Sequence, residues 1–433
     1  MPHTERRLVV SSPSPANSAS PAERGVHHRR ETCRACGAAT LRPFLNLGPQ
    51  PLANAFLRRP EEFAHERFFP LDVYFCESCS LVQLADVIDP EVLFGHYIYV
   101  TGTSETIAAH NGAYAQAVVD ELALGPADLV VEAASNDGSL LTCFAALGVR
   151  TLGVEPARNI AELARSHGVD TVGRFFNGTV ASELRATYGS ARAVIGNNVL
   201  AHVDDTQDFL RGARSLIDDN GRVIVEVPYA QDMLDRREYD TVYHEHLCYF
   251  SVTSLARLGE AVGLGVVRVD RMPVHGGTIR VWFAKDRPHE AAVLVLMAQE
   301  REAGLTSFGV WEAFGIAAAE NRTALRLLLE QLRSDRRTVA GYGAPAKGNT
   351  LLNYCGIDTA LLPYTVDRNA LKVGTVTPGM HIPVLAADTL LARMPDYVLI
   401  LAWNFADEII RQQRQYQERG GRFILPIPVP RII

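Results

Sequence analysis

The sequence predicts an α/β protein in three parts: a small cysteine-bearing module, then two doubly wound units, each a parallel sheet covered by helices. Three observations predict it. Four of the seven cysteines fall into two C-x-x-C pairs near the N-terminus. From about residue 104, short apolar runs alternate with helical stretches. A long Ala/Leu/Glu-rich stretch, about 289–334, interrupts that alternation, which then resumes.

At 433 residues the chain exceeds one typical domain. The pattern divides it at 1–30, 31–103, 104–288 and 289–433. Residues 1–30, rich in Ser, Pro, Ala and Arg without apolar periodicity, read as a disordered tail. Apolar residues at 47% and charged residues at 21% suit a globular enzyme. A net charge of −7 argues against a nucleic-acid partner, whose phosphates call for a basic surface. No apolar run approaches the roughly 18–20 residues of a membrane span. The first thirty residues lack the apolar core of a signal peptide, so the cytoplasm is the expected location. Oligomeric state is left open. Only three of the 42 basic residues are lysines, Lys285, Lys347 and Lys372, so one inside a glycine-rich loop draws notice.

The first module, 31–103, holds Cys33-x-x-Cys36 and Cys76-x-x-Cys79. Each pair points two thiolates at one place, and two such knuckles make a closed tetrahedral site for zinc. A module this small gains from a metal what its core cannot supply. Four thiolates leave no open position, so the expected role is structural. An odd cysteine count without an export signal argues against a disulfide framework.

The second unit begins with a helix, Thr106–Leu124, and a strand, Leu129–Ala133. The strands Leu152–Glu155, Ala193–Gly196, Arg222–Val227 and Ile279–Phe283 follow, with helices at Ile160–His167 and Thr206–Leu216. Such alternation implies a Rossmann-like parallel sheet, with ligands at the carboxyl ends of its strands. The turn after the first strand reads Glu132-Ala133-Ala134-Ser135-Asn136-Asp137-Gly138, and Glu155 ends the next strand, placed to accept from both hydroxyls of a ribose. A dinucleotide would call for G-x-G-x-x-G. One glycine with polar Ser135, Asn136 and Asp137 better suits S-adenosylmethionine, which carries an ammonium and a sulfonium instead of phosphates. Asn197-Asn198-Val199-Leu200-Ala201-His202-Val203, after a later strand, fits the same reading. Glu132, Ser135, Asn136, Asp137, Gly138, Glu155 and Asn198 are thus the candidate cofactor residues.

Tyr243-His244-Glu245-His246-Leu247-Cys248-Tyr249 follows the strand Arg222–Val227 and gathers bases and hydroxyl donors in one loop. A second metal site and a Cys248 thiolate nucleophile are open alternatives. Tyr97 and Tyr99, ending the first module, could roof the same cleft. In the third unit the strands Thr338–Tyr342, Leu362–Val366 and Tyr397–Ala402 frame a second doubly wound pattern, with the loop Gly343–Asn349 after the first. Lys347 in that loop could meet a phosphate at a helix start. His275-Gly276-Gly277-x-x-Arg280 is a second candidate phosphate contact.

Taken in order, several pieces resemble the sugar C-3 methyltransferases of antibiotic biosynthesis, which act on dTDP-linked 4-keto-deoxyhexoses. They are the cysteine pairs with Leu47-Gly48-x-x-Pro51-Leu52-Ala53-Asn54 between them, then Ala134-Ser135-Asn136-Asp137-Gly138, Tyr243-His244-Glu245-His246 and Gly341-Tyr342-Gly343-Ala344-Pro345-Ala346-Lys347-Gly348-Asn349. The resemblance covers about residues 31–433. It implies a zinc-binding domain, a central S-adenosylmethionine domain and a C-terminal α/β domain that helps hold the nucleotide sugar. It further implies His246 as general base, with Tyr243 and Glu245 beside it, and a tyrosine of the zinc module, Tyr97 by best fit, at the site. Lys347, Asn349, His275 and Arg280 are the expected substrate contacts. O- or N-methylation, an NAD-dependent enzyme and a zinc-ribbon protein that assembles partners are the competing readings.

Overall fold

The computed structural model describes residues 25–95, 105–272 and 277–433. Among the described residues no helix is long and apolar enough to cross a membrane. The N-terminal module is a sheet of antiparallel strands, Leu41–Pro51, Phe68–Cys76 and Val82–Leu84. Its fourth strand, Cys248–Tyr249, comes from far downstream and pairs antiparallel with Val82–Leu84. The chain directly after His246 is therefore built into the cysteine module.

Residues 27–29, expected within the disordered stretch 1–30, are ordered, and residues 1–24 lie outside the described ones. His27–Arg29 forms a strand paired antiparallel with Asp86–Ile88. The cause is Asp86, only 2% exposed, a carboxylate that needs partners once removed from water. His27 Nε2 at 2.8 Å and Arg29 Nη1 at 3.1 Å supply them.

The central unit is a seven-stranded sheet in the order 264–272, 278–285, 217–228, 191–197, 129–133, 150–154, 171–172. Five strands run parallel, as expected. Leu264–Met272 and Thr278–Lys285 depart from the expectation, forming an antiparallel edge. Their connection, 273–277, is too short for a crossover helix, so the chain can only turn back. Helices cover the sheet by burying one face. In Thr206–Leu216, Phe209, Leu210, Ala213 and Leu216 are buried, and the Asp205 carboxylate caps the start by accepting from Asp208 N at 2.9 Å.

The stretch 289–334 is two helices, Ala291–Glu302 and Phe308–Ser334, parted near Gly304, which sits at φ +82°. The second lies on the strand Leu41–Pro51. A Cβ at Gly315 would stand 2.1 Å from the Phe44 carbonyl oxygen, so only glycine allows this approach. Phe44 meets Trp311 and Phe314 there, with ring centroids 5.6 and 6.3 Å apart. The C-terminal sheet runs 384–386, 365–367, 339–342, 397–400, 422–425, 431–432, parallel except at its last pair. The expected loop Gly343–Asn349 is half helix. After Gly343 at φ +88° and Pro345, the helix Ala346–Cys355 begins, carrying Lys347 and Asn349.

Candidate active site

Cys33, Cys36, Cys76 and Cys79 bring their Sγ atoms within 4.8 Å of one another. Pairs stand at 3.5 Å (Cys33–Cys79) and 3.6 Å (Cys36–Cys76), close to the roughly 3.8 Å between thiolates around tetrahedral zinc. The donor set fits zinc. Gln83 Nε2 adds an N–H bond to Cys33 Sγ at 3.1 Å, the outer support that fixes a metal ligand's direction.

The turn after the strand Leu129–Ala133 has positive φ at Ala134 (56°), Asn136 (49°) and Gly138 (76°). Every second residue thus adopts the left-handed conformation that glycines usually supply in such turns, held here at two residues where it costs energy. Gly138 admits no side chain, because a Cβ would lie 2.8 Å from a Val169 methyl. Glu155 accepts from Asn136 N and Ala157 N, both at 2.9 Å, so one carboxylate shapes this turn and the next. Its unused lone pairs remain for a ligand.

Three buried polar atoms, on this strand, in its turn and at the end of the neighbouring strand Ala191–Asn197, have no hydrogen-bond partner: Glu132 Oε2, Ser135 Oγ and Asn197 Oδ1. Burial, with Glu155, Asp137 and Glu226 nearby, raises the Glu132 carboxyl well above its ordinary range. A cluster of acids with unused acceptors suits a cationic ligand, and S-adenosylmethionine brings an ammonium and a sulfonium. The residues fit the cofactor. Asn198, at φ 51°, donates its backbone N–H to the Glu226 carbonyl at 2.8 Å and closes the end of the neighbouring strand.

In the Tyr-His-Glu-His loop, His246 Nδ1 is 3.0 Å from the Thr241 carbonyl oxygen and Nε2 is 2.6 Å from Tyr243 Oη. A carbonyl only accepts, so Nδ1 carries the proton and Nε2 presents its lone pair to the tyrosine hydroxyl. Burial, the facing His202 and the Lys347 charge hold His246 well below an imidazole's ordinary value. It is neutral, and so a base, at pH 7. Glu245 is 5% exposed and accepts from Asn54 Nδ2 at 2.7 Å, while burial pushes its carboxyl up to about 7. His244 is buried and bonded through Nε2 to the Pro70 carbonyl, a structural role. Burial pushes the Cys248 thiol up to about 12, which removes it as a thiolate nucleophile.

His202, absent from the expected catalytic set, faces His246 with ring centroids 5.0 Å apart. Burial takes its imidazole down to about 4, and its Nδ1 has no hydrogen-bond partner. The Leu200–His202 turn touches the Tyr-His-Glu-His loop directly, since Leu247 N donates to the Ala201 carbonyl at 2.7 Å. His202 lay within the quoted run Asn197–Val203, and Asn54 within Leu47–Asn54, so the signal in both cases was motif membership rather than residue type.

The described candidates for substrate contact fall in two places, Lys347 and Asn349 on the helix Ala346–Cys355 and Arg280 on the strand Thr278–Lys285. Lys347 Nζ is 4.9 Å from the Trp403 ring centroid, and Trp403 Nε1 donates to Asp240 Oδ2 at 2.6 Å. Asn349, 1% exposed, is a tie between units, donating to the Ala53 carbonyl at 2.7 Å. Arg280 is not available to a phosphate. It is 4% exposed, paired with Glu226 at 2.6 Å, and stacked 3.5 Å from the Tyr114 ring centroid. Tyr97, Tyr99 and His275 lie outside the described residues.

Three family models match in succession: a zinc binding domain over residues 33–94, a methyltransferase domain over 108–269 and a C-methyltransferase C-terminal domain over 273–428. Fold and site together define an S-adenosylmethionine-dependent methyltransferase with a structural zinc module. The chain belongs to the C-methyltransferase family that includes NovU of Streptomyces niveus, to which it is 39% identical over 93% of its own length and 97% of that protein's. Among solved structures, the magnesium protoporphyrin IX methyltransferase of Synechocystis with bound SAM is 15% identical, covering 42% of this chain and 82% of that one, at a TM-score of 0.32. The CcbJ methyltransferase of Streptomyces caelestis is 15% identical over 46% of this chain and 97% of its own, at 0.33.

Proposed function

We propose that the enzyme methylates C-3 of a dTDP-linked 4-keto-deoxysugar, with His246 as the general base. The observation that carries this reading is the His246–Tyr243 pair, a neutral imidazole whose Nε2 lone pair is held by a single displaceable hydroxyl. A ketone at C-4 acidifies the C-3 proton, because the charge left behind moves to the carbonyl oxygen. His246 Nε2 takes that proton. Tyr243 Oη, released from the imidazole, donates to the enolate oxygen, where a placed donor is worth most. S-adenosylmethionine supplies the electrophilic methyl group. Glu132, Glu155 and the Ala134–Gly138 turn hold the cofactor, and Asn198 closes its pocket. Lys347, at the start of the helix Ala346–Cys355, is the cation we assign to the substrate's diphosphate, since it faces the same loop as His246. Tyr97 and His275 remain proposed contacts on motif alone. The name of the relative NovU supports carbon as the methyl acceptor.

The test is His246→Asn, assayed with a panel of nucleotide keto sugars by mass spectrometry. The variant is expected to bind both ligands and lose about 10²–10⁴-fold in kcat, the usual worth of a placed base. Exchange of the C-3 proton with deuterated solvent should cease with it. Near-normal turnover would remove His246 from the role.

A further inference from the structure

Arg34 stands between the two cysteines of the first knuckle and is only 2% exposed. A buried guanidinium is costly unless its donors find acceptors, and here they reach two distant segments of chain. Nε donates to Asp204 Oδ1 at 3.1 Å. Nη1 donates to Gln83 Oε1 at 3.3 Å and to the Leu84 carbonyl, and the Arg34 backbone N–H also meets Gln83 Oε1, at 3.1 Å. Asp204 follows His202 by two residues. Leu84 N donates to the Leu247 carbonyl at 2.9 Å, and Gln83 pairs across the sheet with Cys248, so this strand fixes the chain just after His246. The same knuckle holds the helix beyond Asp204, since Thr206 Oγ1 donates to the Arg34 carbonyl at 3.1 Å and Gln207 Nε2 to the Ala35 carbonyl at 2.8 Å.

We infer that Arg34 is a positioning residue for the His202–His246 pair, carrying the geometry of the zinc knuckle to both histidine-bearing segments at once. The metal site thus reaches both histidine-bearing segments through one buried side chain as well as through the backbone contacts of its knuckle, beyond its role in folding. Without the fork from Arg34 the knuckle keeps its backbone contacts to Thr206, Gln207 and Gln83, but the side-chain link that joins both segments at one buried point is lost. The catalytic consequence rests on the proposed role of His246. The geometric one does not.

The test uses the zinc-loaded full chain with Arg34→Lys, which keeps the charge and loses the fork, and with Asp204→Asn. Both variants should retain one zinc per chain and bind S-adenosylmethionine within twofold of the wild type. The expected result is a fall in kcat of about tenfold or more with KM nearly unchanged, the split given by misplaced groups. Nitrogen-15 NMR of histidine-labelled protein supplies a readout free of substrate. The signals of His202 and His246, identified by their loss in His202→Asn and His246→Asn, should shift and titrate differently from the wild type. The groups facing His246 in that titration are Tyr243, His202, Tyr249 and Lys347. A purely structural arginine would lower the melting temperature and leave both histidine signals and kcat in place, and that outcome overturns the inference. Should Arg34→Lys fail to fold, Asp204→Asn decides, its carboxylate being 31% exposed and shared between Arg34 and Arg30. Should the wild type turn over none of the keto sugars, the substrate reading falls and the histidine signals alone decide this one.

Discussion

Glu155 and Glu245 are both 5% exposed, yet their partners give them different work. Glu155 accepts two backbone N–H bonds, from Asn136 and Ala157, which offset part of the burial that raises its carboxyl. Its replacement by alanine should weaken S-adenosylmethionine binding by roughly 1.5–3 kcal/mol for each charge-assisted bond lost, while sugar-nucleotide binding stays nearly unchanged. Calorimetry with each ligand checks this, and unchanged cofactor affinity would take Glu155 out of the ribose site. Glu245 has one amide partner, Asn54, and a carboxyl pushed up to about 7. If Glu245 were the base, kcat would fall as pH drops through 7. With His246, held well below its ordinary value, kcat stays level down through pH 6.5 and falls only further into acid. The pH profile therefore separates the two. At this scale the sequence was legible where a residue type has one common use, as with the four cysteines of the two C-x-x-C pairs, which the fold brings together. It misled for Arg280, whose charge is consumed by Glu226, a partner 54 positions away that no local pattern announces.

At the scale of elements, the strands of the parallel sheets were legible because buried apolar runs alternate with helical periodicity. The antiparallel edge was not, since an apolar run shows burial but carries no direction. The short strand Cys248–Tyr249 was also invisible, because two residues have no period to read. The cysteine module shows what such pairing costs. Its sheet carries the knuckle Cys76–Cys79 at one end and the chain that follows His246 at its edge, so loss of metal should disturb more than the module. Cys76→Ser is expected to lower zinc content well below one per chain and to reduce the yield of folded protein, because binding energy at a structural site is folding energy. Metal analysis together with thermal unfolding checks it. A metal-free variant that unfolds at the wild-type temperature would contradict a structural role.

Across the whole molecule, the three units meet around residues 238–250. Thr350 Oγ1 donates to the Val242 carbonyl at 3.0 Å, Trp403 to Asp240, Asn349 to Ala53, and Asn54 to Glu245. Glu238 lies in this seam, and burial, eased by Lys347 and aggravated by Asp240, pushes its carboxyl up to about 7. A carboxyl raised above its unfolded value, roughly 4.3, favours folding at acid pH and loses that advantage as pH rises through the folded value. Glu238→Gln should therefore raise the melting temperature relative to the wild type more at pH 8 than at pH 5. Equal differences at the two pH values would show that Glu238 does not titrate in that window.

The borrowed fourth strand bears on how the gene can be cut. A fragment of residues 25–95 would hold all four cysteines and still be incomplete, because Val82–Leu84 would present unpaired N–H and C=O groups along its free edge. Open edges recruit other strands, and the nearest supply in solution is another copy of the fragment. A segment that a family model delimits as a domain is, in this molecule, one partner in a sheet finished by chain more than 150 residues away. Excised alone it would tend to self-associate, however much zinc it was given.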